Sequence, residues 1–385
     1  MAPLVLRLAT EPGIESVVCV TGQHRTMLNQ VLDLFGIKAH HDLDVMVPNQ
    51  TLNGLSSRLF AAIDHVLETV KPDRVLVHGD TTTAMAAAMA AFHRKMPVAH
   101  VEAGLRTHNI LQPWPEEMNR RVVDVVSDML FAPTHSSKEN LQAERLAGQI
   151  FVTGNTVIDA LQLCVRRMAD DGKLRAQLDA QLPTLSPDRR ILLVTGHRRE
   201  NFGSGFDNIC AALVGLSQRR DIEIVYPVHL NPNVRGPVLA ALSHLPNVHL
   251  IEPLDYLQFV RLMQRAHVIL TDSGGVQEEA PSLGKPVLVM RDVTERPEAI
   301  AAGTVKLVGT DAARIISSVN ALYDDDALWH GFALHHNPYG DGHAAERIVA
   351  ALTGRPLSEF NPLRAKAPEP AKSALDSTAT SDSRR

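Results

Sequence analysis

Apolar positions along the chain change period repeatedly, and each change marks an element. A short helix-like piece covers Pro3 to Ala9. Val17 to Thr21 is a β-rich run, and Thr26 to Phe35 carries apolar residues at helical spacing before Gly36 stops it. Leu55, Leu59, Ile63, Val66, Leu67 and Val70 lie on one stripe of a long amphipathic helix from Leu52 to Val70, closed by Lys71 and Pro72. Strands are predicted at Arg74 to His78, Val98 to Glu102 and Met129 to Ala132, with helical patterns between them. The rhythm restarts at Ile191 to Thr195 and continues through Ile222 to Val228, Val248 to Ile251, Val268 to Thr271 and Val287 to Met290. Such βαβ alternation predicts parallel sheets covered by helices on both faces.

The pattern therefore predicts an α/β protein of two Rossmann-like, doubly wound domains facing across a cleft, joined near Cys164 to Pro187, where no strand pattern occurs. The expected division is an N-terminal domain over 1–164, a C-terminal domain over 165–338, a helix over 339–356 packing back on the first domain, and a disordered tail over 357–385. The tail expectation rests on Pro, Ser, Ala, Lys and Thr replacing large apolar residues. Ligands of such folds sit outside the carboxyl ends of the strands.

Composition narrows the partners. A length of 385 residues suits about two domains. With 45% hydrophobic residues and 38 basic against 43 acidic side chains, the net charge is −5. Bulk binding to nucleic acid or an anionic membrane is not indicated. The longest apolar run, Ala84 to Phe92, ends in His93, Arg94 and Lys95 and is far too short to span a bilayer. The N-terminus lacks the parts of a secretory signal. Cys19, Cys164 and Cys210 show no CxxC spacing and no even pairing, so a reducing cytoplasm is expected, with no zinc site.

Candidate chemistry gathers at strand ends. Val75 to Gly79 leads into Asp80, and Val98 to Val101 leads into Glu102. Glu116 and Glu117 follow Pro113-Trp-Pro115 at a predicted helix start. Asp80 could be a helix cap and Glu116 a partner of the helix dipole. Glu102 is harder to explain structurally, because a carboxylate ending a buried strand must find a partner or raise its pKa. In the second half, Ile191 to Thr195 runs into Gly196-His197-Arg198-Arg199, and Val268 to Asp272 runs into Ser273-Gly274-Gly275. A Ser-Gly-Gly turn opening a helix presents N–H groups to an anion, although glycine can also serve turn geometry alone. His197, Arg198 and Arg199 could equally be a solvated basic run; their place at a strand end opposite that turn favours a diphosphate. GxGxxG after a strand, GxxxxGK[ST], HExxH and GxSxG are all missing from the sequence, which removes support for nicotinamide, P-loop, zincin and serine-elbow chemistry.

The runs His78-Gly-Asp-Thr-Thr-Thr83, His100-Val-Glu-Ala-Gly-Leu-Arg106, Pro113-Trp-Pro-Glu-Glu-Met-Asn-Arg120, Thr153-Gly-Asn-Thr-Val-Ile-Asp159, Gly196-His-Arg-Arg-Glu-Asn201, Thr271-Asp-Ser-Gly-Gly-Val-Gln-Glu-Glu-Ala-Pro-Ser282 and Glu295-Arg-Pro-Glu298 strongly resemble the non-hydrolysing UDP-N-acetylglucosamine 2-epimerases. The resemblance spans about residues 1–354. It implies a GT-B-like fold, a homodimer, and interconversion of UDP-GlcNAc and UDP-ManNAc for cell-surface polysaccharide supply, with no cofactor and no metal. By resemblance, Asp80, Glu102, Glu116 and His197 are the catalytic candidates, and His197, Ser273, Gly274 and Gly275 hold the diphosphate. Glu279 takes the ribose hydroxyls, Arg296 approaches the phosphates, and the loop from Leu254 to Phe259 flanks uracil. A regulatory UDP-GlcNAc would contact Gln23, Arg58 and His229, with Thr26 standing where the family often has a longer polar side chain.

Family members usually open with a strand and a Gly-Thr-Arg-Pro-Glu-like loop, whereas this chain starts at a Met internal to that pattern. The expectation is a first domain that lacks its first strand together with an Arg and a Lys that would contact the diphosphate. Three other readings stay open. A GT-B glycosyltransferase would share the nucleotide half but has no need of the three carboxylates. A hydrolysing epimerase would release free ManNAc and often carries a fused kinase domain. A catalytically defective UDP-sugar-binding protein would bind UDP without turnover.

Overall fold

Threonine and aspartate side chains start several helices. Thr51 accepts the N–H of Gly54, Thr81 that of Ala84 and Thr134 that of Ser137, each from extended backbone. The computed structural model describes residues 1–22, 25–333 and 336–364. These fall into two units, the first joining Met1–Leu163 to Tyr339–Asn361 and the second holding Cys164–Pro338 with the short turn Pro362–Arg364.

The first unit runs α1 (Ala2–Ala9), β1 (Cys19–Val20), α2 (Arg25–Phe35), β2 (His41–Asp42), α3 (Leu52–Val70), β3 (Val75–His78), α4 (Thr82–His93), β4 (Val98–Val101), α5 (Glu116–Val126), β5 (Met129–Ala132), α6 (His135–Ala143) and β6 (Gln149–Val152). Helix α7 (Thr156–Asp170) contains the division. Strands β3 to β6 form a parallel sheet in sequential order, and β1 and β2 form a separate parallel pair. The α3 stripe buries Leu55, Leu59, Ile63 and Leu67 against the alanines of α4, whose small side chains let the two helices pack closely.

The second unit runs α8 (Gly172–Gln181), β7 (Arg190–Thr195), α9 (Ser204–Leu216), β8 (Ile222–Pro227), α10 (Pro232–Leu242), β9 (Val248–Ile251), α11 (Tyr256–Arg265), β10 (Ala266–Thr271), α12 (Gly274–Glu279), β11 (Val287–Val289), α13 (Pro297–Ala301), β12 (Val305–Leu307), α14 (Ala312–Asp324) and α15 (Asp326–Ala333). Its parallel sheet has the order β12-β11-β10-β7-β8-β9. That is the doubly wound arrangement, in which the chain reverses direction across the sheet between its first strand, β7, and its fourth, β10. Loops leaving those two strands diverge, so the crevice at their carboxyl ends is where a ligand fits.

Helix α16 (Ala344–Leu352) returns to the first unit. Asp159 of α7 accepts the N–H groups of Ala344 and Ala345 at 3.2 and 2.8 Å. The tail expected from residue 357 is corrected at its start. Phe360 is 1% exposed, its N–H donates to the Val152 carbonyl at 2.8 Å, and Glu359 pairs with Lys138. One aromatic ring and one ion pair suffice to seat this segment in a Pro- and Ser-rich context. Residues 365–385 lie outside the described residues. Strands β2, β6 and β12 were not expected from the sequence pattern. Among the described residues, no helix is long and apolar enough to cross a membrane.

Candidate functional site

In the first unit, Asp80 and Glu102 follow neighbouring strands paired in parallel, His78 opposite Val101. Asp80 is not the helix cap, because Thr81 takes that position on α4. Its carboxylate is instead gripped by Arg120 of α5, whose Nε lies 3.0 Å from Oδ2 and whose Nη2 donates to the same oxygen. Asn119 fastens the Asp80 carbonyl at 2.9 Å. Arg120 also donates to the buried Glu117 at 3.2 Å, and Glu117 accepts the Thr107 N–H at 3.1 Å. The guanidinium thus stands between two carboxylates, which accounts for its own burial.

Glu102 has a backbone φ of +69°, a left-handed conformation costly for a side chain with a Cβ and often kept where function requires it. Its Oε1 accepts from Asn155 Nδ2 at 3.0 Å, and Oε2 lies 3.6 Å from His78 Nε2. Burial drives the His78 ring well below the usual histidine range, so the imidazole beside Glu102 is neutral. Gly79, at φ +68°, passes so near that a Cβ there would come within 3.1 Å of Glu102 Oε2. Glycine at this turn allows the close approach.

Beneath these loops lies a buried charge network. His100 is fully buried, with Nδ1 2.6 Å from Asp124 and Nε2 2.9 Å from the Gly79 carbonyl. Arg106 donates to Asp124 at 2.7 Å and twice to Glu144 at 2.8 Å. Burial opposes the charge on Asp124, yet His100 and Arg106 outweigh it and hold the carboxyl below its usual range. The turn carrying Asp80 and the turn following Glu102 are both strapped to this network. Glu116 opens α5, half-buried and without a side-chain hydrogen bond among the described residues, a position that also suits the helix dipole.

In the second unit the crevice between β7 and β10 receives His197 from one strand end and Asp272 with Ser273, Gly274 and Gly275 from the other. Asp272 is fully buried and organises this edge. Its Oδ2 accepts the N–H groups of His197 and Arg198, each at 2.9 Å, and Oδ1 lies 3.2 Å from His197 Nδ1. Burial would raise the Asp272 pKa, but the His197 contact and the two backbone donors bring it below the usual value. His197 stacks on His229, ring centres 5.7 Å apart. Ser273 offers no side-chain cap to α12, which leaves first-turn N–H groups at the two glycines for a ligand. Arg198 leans over this turn, its Nη2 3.7 Å from where a Gly274 Cβ would be, and its buried Nε has no hydrogen-bond partner among the described residues.

Glu279, buried at the end of α12, accepts the Tyr256 hydroxyl at 2.5 Å. Burial pushes its pKa up to about 7. Leu254 and Phe259, both half-buried, flank Tyr256 at the start of α11. Arg296, expected near phosphates, donates to the buried Glu278, a carboxylate that needs a counter-charge. Arg58 donates to the Val45 carbonyl at 3.0 Å and to Gln50, His229 accepts the Asn231 N–H, and Gln23 lies outside the described residues, as does the side chain of Thr26.

Sequence reasoning missed Arg120, Asn155, Asp272 and Tyr256. Arg120 stands four residues after Glu116 on the same helix, a spacing that could have flagged it. Nothing local marks Tyr256, whose partner is far along the chain.

The family model described as UDP-N-acetylglucosamine 2-epimerase matches residues 6–353. A UDP-N-acetylglucosamine 2-epimerase of Escherichia coli (strain K12) is 54% identical over 360 residues, covering 93% of this chain and 96% of the relative. The crystal structure of the Neisseria meningitidis UDP-GlcNAc 2-epimerase bound to UDP-GlcNAc is 50% identical, with a TM-score of 0.87 over 92% of this chain and 96% of that one. The Methanocaldococcus jannaschii UDP-GlcNAc 2-epimerase in complex with UDP-GlcNAc and UDP is 32% identical, with a TM-score of 0.76 over 92% and 95%. With a match of this extent, the chain belongs to the UDP-N-acetylglucosamine 2-epimerase family.

Proposed function

We propose that this protein is an isomerase that interconverts UDP-GlcNAc and UDP-ManNAc by eliminating UDP and adding it back. The C2 hydrogen of a 2-acetamido sugar is not next to a carbonyl, so removing it alone would leave an unstabilised carbanion. Elimination avoids this. A carboxylate takes the C2 proton, the C2–H electrons form the C1–C2 double bond of 2-acetamidoglucal, and UDP leaves C1 with its bonding pair. Addition reverses each step, with the proton delivered to the opposite face. The balance closes without a redox cofactor or a metal.

The first unit supplies the proton-transfer groups, Asp80, Glu102 and Glu116. The second supplies recognition of the departing UDP: His197, Ser273, Gly274 and Gly275 for the diphosphate, Glu279 for the ribose, and Leu254 and Phe259 beside the base. The observation that carries the reading is Glu102, a carboxylate held by Asn155 on a left-handed backbone beside a neutral His78. General acid–base groups and oriented donors at the leaving group are what the elimination needs.

The test is turnover of UDP-GlcNAc in D2O without added NAD. Deuterium is expected at C2 of both UDP-sugars, and product that stays fully protiated at C2 overturns the elimination. The reading includes a cytoplasmic homodimer, supported by three free cysteines and by exposed Val125 and Phe92 beside an open, largely apolar pocket of about 520 Å³ in the first unit. Light scattering in solution checks the dimer.

A further inference from the structure

Tyr256 has no part in the chemistry described so far, yet the fold fixes it with care. Helix α11 begins with a capping box in which Asp255 accepts the Gln258 N–H at 2.8 Å and Gln258 accepts the Asp255 N–H at 3.1 Å. That box sets the first turn and aims Tyr256 at α12, where its hydroxyl donates to Glu279 Oε1 at 2.5 Å. From this geometry we propose that Tyr256 is a positioning residue for nucleotide recognition, holding the Glu279 carboxylate oriented so that Oε2 is left to accept the ribose hydroxyls. The inference rests on the ribose role given to Glu279 above.

The surroundings explain why a holder is needed. Burial opposes the charge on Glu279, and the neighbouring Glu278 opposes it further, although Arg296 pairs with Glu278. Cys164 is a protonated thiol, its pKa pushed up to about 12 by burial and by the Glu279 charge. Against burial and Glu278, the Tyr256 hydroxyl favours the ionised form of Glu279. A carboxylate accepts two ribose hydroxyls well, whereas a carboxylic acid spends one oxygen as a donor. Removing the tyrosine hydroxyl therefore shifts Glu279 toward the acid and frees its rotamer.

The experiment measures binding of UDP and of 2′,3′-dideoxy-UDP to the full chain across pH 5.5 to 8.5, with KM and kcat for UDP-GlcNAc. Tyr256→Phe is expected to weaken UDP about tenfold at neutral pH, the scale of one hydrogen bond to a charged group. Its preference for UDP over the dideoxy analogue should shrink by a similar factor, its acid limb should move to higher pH, and KM should rise with kcat nearly unchanged. A loss of packing alone would weaken both nucleotides equally and leave the pH limb in place, and that result overturns the proposal. Should Tyr256→Phe fail to fold, the wild type and Glu279→Gln decide. The wild-type preference for UDP should fall as pH drops through about 7, and Glu279→Gln should show no such fall. A wild-type preference that does not change with pH overturns the proposal too. A wild type that binds no UDP overturns both this inference and the reading beneath it, whereas one that binds UDP without these shifts removes only the assignment of Tyr256.

Discussion

Arg120 changes what Asp80 can do. A carboxylate held by both Nε and Nη2 of a buried guanidinium has its position set by that partner. Asp80→Asn and Arg120→Gln should then lower kcat by similar amounts, about 10²- to 10⁴-fold if Asp80 transfers a proton. The double variant should lose little beyond the worse single change, because the two residues act as one unit. Additive losses in a double-mutant cycle would mean that Asp80 works independently of Arg120. For Glu102, whose orientation comes from Asn155, Glu102→Gln should lose rate on the same scale with the fold intact by circular dichroism, and near-wild-type rates would remove it from the chemistry. The carboxylates themselves were legible in the sequence because each follows a predicted strand. Their holders were not, since Arg120 lies 40 residues from Asp80 and Asn155 lies 53 from Glu102, and side-chain pairing over such separations exists only once the sheet has formed.

Elements divide by how much of their structure is local. Helix α3 was legible along its whole length because its stripe, its Lys71-Pro72 stop and its Thr51 start are all in the sequence. Strands β2, β6 and β12 were not: His41–Asp42 has no apolar run, while Gln149–Val152 and Val305–Leu307 are short edge strands defined by the neighbour they pair with. The local signal in α3 can be measured. Thr51 caps from an exposed position, accepting the Gly54 N–H at 3.1 Å, so Thr51→Ala should destabilise the first unit by about 1 kcal/mol. Urea unfolding followed by a probe in that unit checks it, and an unchanged midpoint would mean that α3 is held by packing alone.

At the scale of the whole molecule, the first unit is made of two stretches of chain separated by Cys164–Pro338 of the second unit, and Asp159 is one of the fasteners. Its carboxylate accepts two N–H groups at the start of α16, a favourable position for a negative charge. Burial nevertheless outweighs those bonds and raises its pKa to about 6, with Asp341 adding to the rise and His343 opposing it. The sign follows from proton counting. Between about pH 4, where an unfolded aspartate titrates, and about pH 6, the folded chain binds more protons at this residue than the unfolded chain does. The contribution of Asp159 to stability is therefore complete below pH 4 and is lost as pH rises through 6. A shift of about two pKa units corresponds to roughly 3 kcal/mol at most. Asp159→Asn cannot ionise but keeps an acceptor oxygen, so it should abolish this fall while leaving α16 docked. Hydrogen exchange of the α16 amides checks it: the free energy of opening should drop between pH 4 and 6.5 in the wild type and stay level in Asp159→Asn. Parallel curves for the two proteins would place the pH dependence elsewhere and leave Asp159 as a simple acceptor.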